Sequence, residues 1–112
     1  MDDCIFCKIV KGEIPSTKVY EDEQVLAFKD LNPVAPVHVL VIPKTHIASA
    51  GEINPENSSL VAGVFEAIPK IATDLGIKDG FRVITNCGPS AGQTVFHLHF
   101  HLLGGRELGI MG

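Results

Sequence analysis

The segment His97-Leu98-His99-Phe100-His101-Leu102-Leu103 carries three histidines at alternate positions, with large apolar residues between them. Successive side chains of a β-strand point to opposite faces of the sheet. The alternation therefore predicts a strand with all three imidazoles on one face and with Leu98, Phe100 and Leu102 directed into a core. A helix would turn the middle histidine away from the other two.

Three imidazoles on one strand face suit metal binding or catalysis. Strand rise separates alternate residues by about 6.6 Å and the outer pair by about 13 Å, so two of them fit one zinc ion more easily than three. Neutral imidazole is a nucleophile near pH 7, and neighbouring histidines can supply hydrogen bonds or protons. Carbonyl and phosphoryl electrophiles both fit this chemistry. A merely solvated histidine-rich face is disfavoured, because the whole chain has five histidines.

Composition sets the class of protein. A chain of 112 residues with 46% apolar residues is expected to form a single domain, residues 1–112. The net charge of −4, without a basic stripe, argues against nucleic-acid and acidic-membrane partners. No apolar run reaches about 20 residues, and the acidic start is unlike a signal peptide. With three cysteines, an odd number, the chain is expected to be cytoplasmic with reduced thiols.

Periodicity and turn residues predict an α+β fold. A short helix is expected over residues 4–11, capped by Asp2 or Asp3 and ended by Gly12. A long helix is expected from the Asn54 cap to Gly76, with Phe65 on its buried face. Strands are expected at 18–21, 24–29, 38–42, 81–86 and 97–103. The order βββαββ favours an antiparallel sheet of about five strands, packed by one long and one short helix.

The pair Cys4 and Cys7 forms a C-x-x-C motif, which is half of a zinc site. Two thiols on a short helix, without a metal, are the simpler alternative. A redox role would need a thioredoxin-like βαβ context, which this pattern lacks.

The motifs together resemble the histidine triad (HIT) superfamily, and in particular its nucleotide-binding Hint branch. The segment from His97 to Leu103 matches the H-φ-H-φ-H-φ-φ signature of the superfamily. Further matching segments follow in the family's order and spacing: Ile5-Phe6, Glu13-Ile14-Pro15, Ala27-Phe28-Lys29-Asp30, Ala35-Pro36-Val37-His38, Val41-Ile42-Pro43-Lys44-Thr45-His46 and Gly92-Gln93-Thr94-Val95-Phe96-His97. They cover nearly the whole chain.

The resemblance implies a purine nucleoside phosphoramidase or nucleotidyl hydrolase with a covalent nucleotidyl-histidine intermediate on His99. His101 is then expected to bind phosphate and protonate the leaving group, while His38 and His97 polarise the triad. Thr94 is expected to donate its hydroxyl to the leaving group. The family also implies a homodimer formed by the long helix and the neighbouring sheet edge.

The same resemblance assigns nucleotide contacts. Asp30 is expected to accept hydrogen bonds from the ribose hydroxyls, although a turn aspartate is the better interpretation from spacing alone. Amides of Gly92, Gln93 and Thr94 are expected to hold phosphate, and Asn86 to contact the leaving group. The base is expected in an apolar slot formed by Ile5, Phe6, Ile9, Phe28 and Leu31.

Bacterial-type relatives that carry the C-x-x-C pair resemble zinc binders, which implies structural zinc on Cys4, Cys7, His46 and His97, with no organic cofactor. Two alternatives to the phosphoramidase stay open at this point. One is a dinucleoside polyphosphate hydrolase, a related branch. The other is a nucleotide-binding interaction module with incidental turnover, since an intact site does not name its physiological substrate.

Overall fold

A computed structural model of the chain describes residues 3–111. Seven main elements follow one another along it: α1 (Ile5–Val10), β1 (Lys18–Glu21), β2 (Val25–Lys29), β3 (Val37–Pro43), α2 (Ser58–Asp74), β4 (Phe81–Ile84) and β5 (Phe100–Gly104). Short 3-10 turns lie at Ala50–Glu52 and Pro89–Ala91. Within residues 3–111, no helix is both long and apolar enough to span a bilayer.

The strands form one antiparallel sheet in the order β1-β2-β3-β5-β4. The predicted α+β fold, with five antiparallel strands, one long helix and one short helix, is confirmed. β3 is the central strand, and its apolar run from Val39 to Ile42 agrees with burial on both faces.

The two helices cover opposite faces of the sheet. Val39 and Val41 of β3 pack in the larger core with α2, together with Leu98, Phe100 and Leu102. The intervening β3 residues, Leu40 and Ile42, pack in a smaller core with Phe6 and Ile9 of α1. The period of two in the sequence therefore sorts apolar residues between two cores.

The predicted histidine strand is too long. β5 begins at Phe100, so His97, Leu98 and His99 precede it. The backbone N–H of Leu98 donates to the carbonyl of Ile47 at 2.6 Å, outside the sheet. The alternation nevertheless holds, because Leu98 is buried in the core with α2 while His97 and His99 contact Phe6 of α1.

The predicted start of the long helix is also wrong. α2 begins at Ser58, not at Pro55. The Asn54 side chain does accept hydrogen bonds from the backbone N–H groups of Glu56 and Asn57, and Asn57 Oδ1 accepts from Asn54 N–H. These reciprocal bonds close a separate turn before the helix. Gly76, at φ +76°, ends the helix as expected.

Three smaller expectations need correction. The side chain of Cys4, and not that of Asp3, accepts from the Cys7 N–H at the start of α1; Asp2 lies outside the described residues. β4 ends at Ile84 rather than at residue 86. Phe65 is 48% exposed on α2 instead of fully buried, with one ring edge against Phe100.

Candidate functional site

His99 is buried just before β5, and a backbone carbonyl fixes its ring. Nδ1 lies 2.7 Å from the carbonyl oxygen of His97. A carbonyl accepts but cannot donate, so Nδ1 carries the proton and Nε2 of the neutral ring keeps its lone pair. The Thr85 hydroxyl donates to the carbonyl of His99 at 2.7 Å and fixes the backbone of the same residue. His99 is therefore oriented with Nε2 as a potential nucleophile.

A second chain of hydrogen bonds runs through His38 and His101. The backbone N–H of Val34 donates to His38 Nδ1 at 3.1 Å, so the proton of neutral His38 is on Nε2. Nε2 lies 2.9 Å from His101 Nδ1 and 3.4 Å from Asp30 Oδ2. His38 thus donates to His101 Nδ1, and the proton of neutral His101 is on Nε2, available to a ligand.

Burial favours the neutral forms on which these assignments rest. Loss of hydration lowers the pKa of His38 below its usual value, against the opposing attraction of Asp30. Loss of hydration also lowers the pKa of His101, and the neighbouring His99 and His38 lower it further. The rings of His99 and His101 lie side by side, with centroids 5.2 Å apart. The pair therefore combines a lone pair with an adjacent N–H donor.

An apolar cavity of about 210 Å³ opens between α1 and β2. Asp30 lines this cavity. So do all five residues that were predicted to form the base slot, namely Ile5, Phe6, Ile9, Phe28 and Leu31. Leu31 is 93% exposed and so forms the rim rather than the floor. Pockets for whole drug-sized ligands span roughly 300–1,000 Å³, so this cavity suits one ring system rather than an entire nucleotide.

Phe6 and Asp30 connect this cavity to the histidines. The Phe6 ring packs edge-on against His99, with centroids 5.1 Å apart, and against Phe28 at 5.4 Å. Asp30 Oδ2 faces His38, while Oδ1 accepts the backbone N–H of Asn32 at 2.7 Å. The aspartate thus serves as the turn residue that spacing suggests, and it still has one oxygen directed to the site.

The glycine-rich loop before the triad uses several of its polar groups internally. The backbone N–H groups of Gly92 and Gln93 donate to the carbonyls of Pro89 and Gly88. The buried Gln93 side chain accepts from Gly88 N–H and donates to the carbonyls of Ala48 and Val95. Both residues therefore hold the loop together, and their predicted contacts with phosphate stay a prediction.

Two predicted leaving-group residues occupy different positions. Ile84, the last residue of β4, pairs with His101, and Asn86 follows two residues beyond the strand. Thr94 is exposed and lines a separate groove of about 420 Å³ with Cys4 and His46. Contact of Asn86 with the leaving group stays a prediction.

The second cluster joins the cysteine pair to two distant histidines. The four ligand atoms, the Sγ atoms of Cys4 and Cys7 and one ring nitrogen each of His46 and His97, lie within 4.8 Å of one another. Cys4 Sγ is 3.4 Å and Cys7 Sγ 3.5 Å from His97 Nδ1, and Cys7 Sγ is 3.4 Å from His46 Nδ1. Zinc bond lengths on a tetrahedron place S and N ligands about 3.5 Å apart, so the donor set fits zinc.

The tautomer of His97 also fits a metal ligand. Its Nε2 lies 2.8 Å from the carbonyl of Pro43, so Nε2 carries the proton and Nδ1 directs a lone pair at the two thiols. Burial, and then the adjacent Cys4 thiol, raise the pKa of Cys7 to about 11. Without a cation the Cys7 thiol therefore stays protonated at neutral pH.

Sequence reasoning missed three residues that orient the histidines: Val34, Pro43 and Thr85. Pro43 and Val34 act through backbone atoms, which leave no residue-type signature. Thr85 acts through its hydroxyl, but a threonine within a strand is ordinarily explained by β-propensity.

The family profile described as the HIT domain matches residues 11–108. The chain is 48% identical over 104 residues to Protein HitA of Neisseria gonorrhoeae, across 93% of this chain and 97% of that protein. It is 50% identical over 106 residues to the 14 kDa zinc-binding protein of Zea mays, across 93% and 83%. A HIT family hydrolase from Clostridium thermocellum superposes with a TM-score of 0.95 at 57% identity, covering 99% of this chain and 97% of that one.

The triad pattern, the sheet and these matches agree, and this chain belongs to the HIT family. The resemblance given by the sequence motifs is thereby confirmed at the level of family and fold.

Proposed function

We propose that this protein is a hydrolase that acts on purine nucleoside phosphoramidates through a nucleotidyl group carried by His99. The observation that supports this best is the fixed ring of His99. Its Nδ1–H donates to a backbone carbonyl, so Nε2 carries a lone pair and no proton. The hydrolase name of the Clostridium thermocellum relative agrees with this class of activity.

In the first step, His99 Nε2 attacks the α-phosphorus, a P–N bond to the histidine forms, and the P–N bond to the amine leaving group breaks. His101 Nε2–H donates a hydrogen bond to the departing nitrogen, and the amine takes its proton from solvent water, so His101 stays neutral. In the second step, water attacks phosphorus, the bond to His99 breaks, and the proton of that water returns to solvent. The products are the free amine and a nucleoside monophosphate.

Binding of the nucleotide follows from the cavity. The base occupies the apolar space beside Phe6 and Phe28, and the ribose hydroxyls donate to the Asp30 carboxylate. The phosphate then lies at His99 and His101, because Phe6 adjoins His99 and Asp30 faces His38. Asn86 contacts the leaving group.

We further propose that Cys4, Cys7, His46 and His97 hold a structural zinc ion. The donor spacing and the His97 tautomer support this, as does the name of the Zea mays relative. Bound zinc supplies a cross-link between α1 and the segment before β5, since all four positions are filled by protein ligands. No step of the reaction passes through it.

A homodimer is part of the proposal. β4 is an edge strand, and Phe65 and Phe81 near it are partly exposed on α2 and β4. An edge strand that pairs across a twofold axis satisfies its free backbone groups. Analytical ultracentrifugation of the protein should give about twice the 12.0 kDa chain mass; a single-chain mass would remove this part of the proposal.

Intact-protein mass spectrometry tests the reaction. The protein is mixed briefly with adenosine phosphoramidate and quenched without acid, beside the H99N variant. A transient adenylyl adduct that maps to His99, with release of adenosine monophosphate, is expected in the parent only. If neither adduct nor product forms, while a dinucleoside polyphosphate is cleaved, the second hydrolase branch replaces this proposal. If nucleotide binds but neither substrate turns over, a binding module replaces it.

A further inference from the structure

The loop of residues 31–36 connects β2 to β3 and reaches back to the active site. Its ends are closed by the backbone bond from Asp30 N–H to the carbonyl of His38, at 3.1 Å. From its middle, Val34 N–H donates to His38 Nδ1. This is the bond that places the His38 proton on Nε2 and so keeps His101 Nδ1 as an acceptor. The protonation pattern of two histidines therefore depends on where this loop lies.

Packing gives the loop little support. Leu31 is 93% and Val34 63% exposed, so side-chain burial does not fix their backbone. Beside the turn bond from Asn32 N–H to Asp30 Oδ1, support comes from the segment after β5. Arg106 Nη2 donates to the carbonyl of Val34 at 3.0 Å, and Nη1 donates to the carbonyl of Glu107 at 2.7 Å. One guanidinium thus joins the loop to the chain that follows the histidine strand.

Gly105 brings Arg106 to this position. Its φ of +95° is unfavourable for other residues, and a Cβ there would approach Pro36 Cβ to 2.9 Å. The chain therefore turns directly against the loop, where a larger residue would push it away. Gly105 and Arg106 act on the same loop through two different contacts.

We propose that Arg106 is a positioning residue that sets the tautomers of His38 and His101 by holding Val34 in place. The arginine touches no substrate; it acts through the Val34 backbone, then His38, then His101. The kinetic part of this inference rests on the proposed function, in which His101 Nε2–H donates a hydrogen bond to the leaving amine. The structural part, the tautomers themselves, does not.

Nitrogen-15 NMR of the histidine rings tests the structural part, because the two tautomers differ in which nitrogen carries the proton. In the parent at pH 7.5, His38 and His101 should both be Nε2–H. In R106A, the Val34 bond loosens and each ring should become a mixture of tautomers. R106K keeps one donor and should restore part of the parent spectrum. R82A is the matched control, since Arg82 makes a similar bond at 2.7 Å to the carbonyl of Gly109, away from the loop.

Kinetics with adenosine phosphoramidate test the consequence. R106A should lower kcat about fivefold and leave KM within about twofold, as expected for one charge-assisted hydrogen bond that acts on the hydrogen-bond donor. G105A should shift the same two rings. Unchanged tautomers in both R106A and G105A would overturn the positioning role, whatever the rates. The other outcome is that the tautomers shift in the variants while the parent protein has no phosphoramidase activity. That result would overturn the proposed function and leave the positioning role intact.

Discussion

His97 and His99 are two residues apart, and both are buried. Each ring donates one N–H to a backbone carbonyl, but the two rings use different nitrogens for this bond. His97 uses Nε2–H to reach Pro43 and presents Nδ1 to two thiols. His99 uses Nδ1–H to reach His97 and presents Nε2. One ring is suited to be a metal ligand and the other to be a nucleophile.

Residue type alone therefore does not set the role of a histidine. The carbonyl that accepts the ring N–H decides which nitrogen keeps its lone pair, and the neighbours of that nitrogen decide what it does. The two sites are also connected, because the carbonyl that holds His99 belongs to His97. The proposed zinc site therefore supports the backbone that holds the proposed nucleophile.

The largest effect is expected at His99. H99N should lower kcat for adenosine phosphoramidate by about 10,000-fold, because the nucleophile is lost. Asparagine keeps an N–H donor for the His97 carbonyl, so thermal unfolding and binding of adenosine monophosphate, followed by calorimetry, should stay close to those of the parent. Turnover within tenfold of the parent would mean that His99 is not the nucleophile.

Replacement of Cys7 tests the proposed zinc site that includes His97. C7S should release zinc, measured by elemental mass spectrometry, and should lower the free energy of unfolding by roughly 3 kcal/mol. For a chain of this size that corresponds to a Tm roughly 10 °C lower. C87S is the matched control, since Cys87 is the exposed cysteine, remote from the cluster. Equal zinc content in C7S and C87S would contradict the ligand assignment.

The next largest effect is expected when the negative charge of Asp30 is removed. D30N retains Oδ1, which accepts from Asn32 N–H, so the turn should persist. The variant should bind adenosine monophosphate about tenfold more weakly, because a charged acceptor for the ribose hydroxyls is lost. The deoxyribose analogue, measured by the same titration, should bind the parent and D30N more nearly alike. An equal loss for both ligands would point to an effect on folding or on phosphate instead.

A smaller effect is expected from pH. Burial lowers the pKa values of His38 and His101 below 6.5 in the folded protein, so the unfolded chain takes up protons first as the pH falls. Their contribution to stability is complete above pH 6.5 and decreases on acidification through the folded pKa values. Urea unfolding at pH 7.5 and 5.5 should show a larger loss for the parent than for H101Q. An equal loss in both proteins would show that the pKa of His101 is the same in the folded protein and in the unfolded chain.

Much of the fold could be predicted from the sequence, because period-two alternation, turn residues and helix-ending glycines are local signals. The bounds that failed lie beside particular hydrogen bonds. Leu98, just before β5, donates to the distant Ile47, and reciprocal bonds between Asn54 and Asn57 close a local turn before α2. Such pairings cannot be seen in a pattern of residue types.

In the candidate site, too, some features could be predicted from the sequence and others could not. The histidines, the cysteine pair and the apolar slot carry residue types that indicate chemistry. The groups that orient them are mostly backbone atoms, such as the N–H of Val34 and the carbonyl of Pro43. The sequence could not assign tautomers for this reason, nor show that the Gly92 and Gln93 amides are used within their loop.

The ring nitrogen-15 spectrum of His97 and His99, recorded at pH 7.5 on uniformly labelled zinc-loaded protein, decides whether His99 can be the nucleophile. Opposite tautomers are expected, with the proton on Nε2 of His97 and on Nδ1 of His99. A His99 ring with its proton on Nε2 would have no lone pair to offer phosphorus there, and the assignment of His99 as nucleophile would then be wrong.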